Sequence, residues 1–177
     1  MKLTGILAGI AFAVAATGMS QAATVSVDVY AKENSIATSN LAAGADTGVV
    51  LTAGTKFSIA AALDDLWSIG TNAARHIGNA DGAPSTNLYT FFGQTFNHGT
   101  LVGRIGDGLF FKVGTSLVNQ IADATGTLKL YMWDYNTKDN TGFITADITV
   151  APVPLPAAAP LLLAGLGALA IARRRKA

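Results

Sequence analysis

The middle of the chain alternates. From Thr24 to Tyr30, Val25, Val27 and Val29 fall on one face and Ser26 and Asp28 on the other. That period of two predicts a half-buried strand. Val49–Leu51 is a short apolar run closed by Ala53-Gly54. Lys56–Leu63 puts Phe57, Ile59 and Ala61 in phase. Leu101–Ile105 and Leu109–Val113 flank Gly106-Asp107-Gly108, a hairpin signal because Asp-Gly suits a tight turn with positive φ. Gly126–Trp133 alternates Leu128, Leu130 and Met132, and Phe143–Val150 alternates Ile144, Ala146, Ile148 and Val150. About seven short strands with turn signals between them predict an all-β body built as a β-sandwich. Ile69–Asn97, rich in Gly, Asn and Thr, predicts long loops with one strand near Leu88–Phe92. Long loops on a rigid sandwich are where binding usually sits.

The two ends follow other rules. Residues 1–22 read as a signal peptide. Lys2 gives a positive start, Ile6–Ala16 an apolar stretch, and Ser20 and Ala22 the small residues before a cut after Ala22. At the other end, Val153–Ala172 has no charge over 20 residues. As a helix that length spans roughly 30 Å, enough for a bilayer core. The expected transmembrane helix is residues 158–172, stopped by the basic residues 173–176, which hold the cytoplasmic side. The body, residues 23–150, would then lie outside the cytoplasm. Pro154 and Pro156 keep the approach to the helix extended.

These ends distort the bulk charge. Of 12 Lys and Arg, five lie in them, so the body carries seven basic against 11 acidic residues, a net of −4. An acidic body argues against nucleic acid and is compatible with cation binding. The absence of cysteine excludes disulfides, thiol catalysis and thiolate metal sites. The 128 residues of the body are ample for one unstapled core.

The richest chemistry lies in Asp134–Gly142, which joins the last two strong strands. It gathers two carboxylates, two Asn side chains and hydroxyls within nine residues. Calcium takes six to eight oxygen ligands, often from one loop plus a neighbour. The loop is not an EF-hand, since Lys138 and Asp139 stand where a ligand and a Gly are required. An ordinary polar hairpin turn fits the same residues. Asp64-Asp65 is expected at a strand end facing water, and His98 has no partner at metal spacing in the sequence. Trp133 is expected to pack on the sheet, and the lectin resemblance given below makes Trp67 and Tyr135 candidates to stack on a sugar. No nucleophile elbow, zincin helix, P-loop or dinucleotide fingerprint occurs, and Glu33 is the only glutamate, so no enzyme is expected.

Val153-Pro154-Leu155-Pro156-Ala157, an apolar helix and an Arg cluster resemble the VPLPA variant of the PEP-CTERM sorting signal. The resemblance implies a temporary inner-membrane anchor, recognised and cut by exosortase. The body, first periplasmic, would then reach the cell surface or extracellular matrix. A plain anchor that is never cut is the alternative.

A second resemblance covers nearly the whole body. Phe57–Ala62, Trp67-Ser-Ile-Gly70, Asn79–Gly82, Leu101–Gly106, Phe110–Gly114, Gly126–Asp134 and Asp139–Gly142 are similar to the PA-I-type galactophilic lectins, calcium-dependent jelly-roll sandwiches. This implies calcium as cofactor, with Asp134, Asp139 and Asn140 as side-chain ligands and Thr137 and Ile69 giving backbone carbonyls. The loop from Asp134 to Asp139 is two residues shorter than in the lectins, and Ile69 replaces a Tyr. His76 and Asp81 are the nearest counterparts of the sugar-contacting residues, with Tyr135 beside them. The expected function is a calcium-dependent, galactose-type carbohydrate-binding module facing surface or exopolysaccharide glycans, where homo-oligomers would gain avidity. A structural matrix protein without sugar affinity, or an exported hydrolase, are the alternatives.

Overall fold

Strand β1 (Ala23–Tyr30) runs antiparallel to β12 (Thr141–Val150), the longest strand, in unbroken register from Ala23↔Val150 to Tyr30↔Phe143. The alternation explains the pairing. Val29, Ile144, Ala146 and Ile148 turn inward and are fully buried. The outward positions meet in cross-strand pairs: Thr24 with Thr149, Ser26 with Asp147, Asp28 with Thr145, and the Tyr30 ring 5.4 Å from Phe143.

The computed structural model describes residues 22–36, 44–84, 88–152, 165–167 and 173–174. Residues 22–152 form one unit and hold every buried residue of the cores described here. Residues 1–21 of the expected signal peptide, motif residues 153–157 and nearly all of the expected span 158–172 lie outside the described residues. Among those described, only 165–167 and 173–174 are helical in that region, and no helix is long and apolar enough to cross a membrane.

The remaining elements are β2 (Ala45–Leu51), β3 (Lys56–Ala61), β4 (Trp67–Ser68), α1 (Ala73–His76), β5 (Ile77–Gly78), β6 (Leu88–Phe91), β7 (Gln94–Asn97), β8 (Leu101–Ile105), β9 (Phe110–Lys112), β10 (Ser116–Ile121) and β11 (Gly126–Met132). One sheet runs β10-β3-β12-β4-β5 with β1 on the other side of β12. The second runs β2-β11-β8-β9. The core holds Phe57, Ile59 and Ile148 from the first sheet and Leu51, Leu101 and Leu128 from the second. The body is thus an all-β sandwich, as the alternation predicts. Gly103 lets the sheets close, since a Cβ there would sit 2.5 Å from the Phe111 ring that covers β8.

The second sheet is covered on its outer face too. Val102, Phe110, Tyr131 and Trp133 form a separate cluster with Ile36, under Tyr89, Phe91 and Phe96 of the β6–β7 hairpin. Burial pushes the Tyr131 hydroxyl above its ordinary pKa.

Where the reading and the structure differ, short elements are the cause. Residues 69–97 hold a helical turn, β5 and a full hairpin rather than loops with a single strand. Strand β10 was not expected, because its register slips between Leu117 and Gln120, where Asn119 takes φ 53° and its amide bonds to Ser58 Oγ. Strands β2 and β12 start earlier than the apolar runs indicate, at Ala45 and Thr141, and β3 stops at Ala61.

The inside–outside alternation gives a direct test on the isolated 22–152 body. Ile148→Ala, at a fully buried site, is expected to cost about 2–5 kcal/mol in urea unfolding. Val50→Ala, 70% exposed, is expected to stay within about 0.5 kcal/mol. Equal costs at the two sites would contradict the strand facing described here.

Candidate functional site

Strand β12 uses both edges, and this builds the site. Its last five residues pair with β3, but Thr141 and Gly142 pair with Ser68 and Trp67 of β4. The Ile69-Gly70 turn is thereby held against the end of the 134–140 loop. A Cβ at Gly70 would stand 3.1 Å from Asp139 Oδ2 and 2.5 Å from His76 Nδ1, so only glycine fits between them. Ser68 Oγ donates to the Gly70 carbonyl at 2.6 Å and fixes the turn. Ile69 is buried, its amide bonded to the His76 carbonyl at 3.0 Å. His76 Nδ1 accepts the Asn72 amide at 3.3 Å, which orients the ring toward Gly70.

The loop is pinned by its own polar groups. Asp134 is 1% exposed. Its Oδ1 accepts the Asn136 amide at 2.9 Å, and Asn136 Nδ2 donates to Asp139 Oδ1 at 2.8 Å. Asn136 therefore ties the two carboxylates together, a positioning role that the sequence reading did not assign. Asn140 is 2% exposed. Its Nδ2 donates to the Ala31 carbonyl at 3.2 Å and Ser35 Oγ at 3.0 Å, and faces Met132 Sδ at 3.6 Å. Because the Ala31 carbonyl can only accept, this fixes the amide orientation and turns Oδ1 the other way.

Within the 134–140 loop two buried oxygens, Asp134 Oδ2 and Asn140 Oδ1, are left without a partner; Asn97 Oδ1, outside the loop, is the other such oxygen among the described residues. A buried acceptor with nothing to accept is costly, most of all on a carboxylate. Both are hard oxygen donors of the kind calcium takes. Asp139 Oδ2 beside Gly70 adds a third oxygen, and Thr137, half-buried, sits in the turn between them. Among the described residues no three His, Asp or Glu side chains group as a ligand set. A cation here would thus rest on two carboxylates, one amide and main-chain carbonyls. The donor set fits calcium in kind.

His98, which the sequence left without a partner, stands 2.8 Å from Asp134 Oδ1 through Nε2. The approach is off the hydrogen-bonding axis, leaving Nε2 unbonded among the described residues. The Tyr89 ring lies 4.4 Å from the His98 ring and 5.5 Å from Tyr135. Burial, then the hydrogen bond with Tyr135, raise the Tyr89 pKa. Tyr135 is half-exposed next to Asp134, as a stacking residue must be.

Other candidates lie elsewhere. Trp67 is 2% exposed and its Nε1 donates to the Gly99 carbonyl, so it has no face to offer a sugar. Trp133 is buried, bonded through Nε1 to the Tyr89 carbonyl, as its place in the alternation predicts. Asp65 does not simply face water, because its Oδ2 accepts the Thr145 amide. The Asp81 carboxylate accepts from Thr115 Oγ1 at 2.8 Å and lies 3.4 Å from Lys112 Nζ. Burial raises its pKa, but the Thr115 hydrogen bonds and the Lys112 charge outweigh this and leave it lowered. These partners belong to β9 and the β9–β10 turn, not to the 134–140 loop.

Comparison with known proteins bears on the fold and on the tail. A search of curated proteins finds no match. Among solved structures, the chain is similar to the EclA N-terminal domain, described as a PllA-like lectin. The two are 26% identical with a TM-score of 0.52, over 72% of this chain and 96% of that one. Residues 152–176 match the model of the PEP-CTERM protein-sorting motif, so the chain carries a PEP-CTERM sorting signal behind a lectin-like β-sandwich.

Proposed function

We propose that the body is a calcium-dependent carbohydrate-binding module of galactose type, exported and sorted to the cell surface or matrix by exosortase. The observation that carries the calcium reading is the pair of partnerless buried oxygens, Asp134 Oδ2 and Asn140 Oδ1, in one loop. In this reading Asp134, Asp139 and Asn140 hold the ion with the Thr137 and Ile69 carbonyls. Sugar hydroxyls complete its shell, and His76 and Tyr135 contact the ring. Asp81, engaged by Thr115 and Lys112, is left out of this set. The tail is cut near Pro154–Pro156, which frees the body from the inner membrane.

The calcium site is tested on chelator-stripped residues 22–152. Calcium at a hundredfold its Kd is expected to raise unfolding free energy by about 2.7 kcal/mol. Asp134→Asn is expected to abolish that gain while staying close to the parent's stability in chelator, because it discharges a buried carboxylate whose Oδ2 has no partner and leaves an oxygen to accept the Asn136 amide. A calcium gain surviving in both Asp134→Asn and Asn140→Ala would refute the site.

Sugar binding is a separate arm. Titration with methyl galactoside is expected to give a signal that needs calcium and weakens several-fold in Tyr135→Ala. Calcium binding with no response to galactosides would favour a matrix protein in which the ion only stiffens the loop. For the tail, pulse-chase in a host carrying exosortase is expected to show loss of the Arg cluster from the parent. Replacing Pro154 and Pro156 by Ala should leave it in place. An intact tail on the parent would mean a permanent anchor.

A further inference from the structure

On the outer face of the second sheet, the tip of the β6–β7 hairpin meets the β8–β9 turn. The hairpin closes through Phe92-Gly93, with Phe91 paired to Gln94. Both turn residues have positive φ, 48° and 74°. Glycine, Asn or Asp suit such a position, and a bulky aromatic side chain there is an outlier. Strain of this kind persists where surrounding structure or function demands it. Nor is Phe92 buried in exchange: it remains 46% exposed, its ring 5.6 Å from Phe110.

Facing it is a cation held in place. Arg104 Nε donates to the Gly108 carbonyl at 2.8 Å, and the guanidinium carbon lies 5.5 Å from the Phe110 ring centre. Its Nη2 is 3.7 Å from Asp107 Oδ1, too far for a hydrogen bond. Phe92, Arg104, Gly108 and Leu109 line a cleft of about 130 Å³. That is well below the roughly 300–1,000 Å³ of drug-sized pockets and takes a single ring. Leu109 adds a second exposed apolar wall.

We infer that this cleft is a second, calcium-independent glycan subsite, which takes a carboxylate-bearing sugar residue of the uronic acid class. The fixed guanidinium fork matches a carboxylate, and the Phe92 ring offers a flat apolar face for the sugar's C–H side. Neutral sugars satisfy only the second contact. Asp107 is the group that opposes the ligand, since its charge competes for the same guanidinium.

The test uses ¹⁵N-labelled 22–152 in EDTA at low ionic strength, where the exposed charge pair is least screened. Methyl glucuronide is expected to shift the Arg104 Nε–H and Gly108 amide resonances saturably, and neutral methyl glucoside to leave them in place. Arg104→Gln is expected to weaken binding at least about tenfold, and Asp107→Asn to tighten it several-fold. Phe92→Gly relieves the backbone, so it should keep or raise the melting temperature while losing binding. No saturable shift, equal shifts with the neutral sugar, or full binding by Phe92→Gly would each overturn the subsite. None of these outcomes bears on the calcium site, which EDTA silences.

Discussion

Two-sided pairing of β12 is the constraint on which the rest of the body depends. Along one edge it binds β1 through eight residue pairs. Along the other it binds β3 with its second half and β4 with its first two residues. Residues 62–66 span the gap between β3 and β4, and the chain leaves β4 through the Ile69-Gly70 turn on its way to β5. Without β4 on this edge, the Ile69-Gly70 turn would not lie against Asp139 of the 134–140 loop. The core beneath, with Ile144, Ala146 and Ile148 fully buried, holds the strand in register while its first residues serve the site.

The site sits where local satisfaction of polar groups fails. Asn136 and Ser68 shape the loops, and Asn140 Nδ2 is tied to Ala31 and Ser35 on the segment after β1. The oxygens that remain, on Asp134 and Asn140, are held rigidly with nothing to accept. Under the calcium reading proposed above, buried oxygens held this way would be preorganised for a hard cation.

The long alternating strands were legible because each buries one face, so the period of two is written directly into Val25–Val29, Leu128–Met132 and Ile144–Val150. Strands of two residues such as β4 and β5 carry no period, and they exist through pairing with β12 and with each other. The aromatic hairpin was half seen, because Phe92 occupies a turn position that glycine or Asn would have signalled. Around the candidate site, Asp134, Asp139, Asn140 and Ile69 could be named from pattern and resemblance, and the fold brings their loops together. The approach of His98 to Asp134 could not, since 36 residues separate them and they meet through the Gly99–Trp133 and Trp133–Thr100 backbone hydrogen bonds. Asp81, named from its loop, bonds to Thr115 and faces Lys112 across the chain, partners that no local pattern signals.

The bulge in β10 has a consequence for life among other copies. An edge strand with Val118 and Ile121 exposed offers a template for strand addition by a neighbouring molecule. Asn119, left-handed and bonded back to Ser58, breaks the run of evenly spaced amides and twists the edge away from a flat partner. That single left-handed residue thereby opposes edge-to-edge stacking without removing an apolar side chain from the surface.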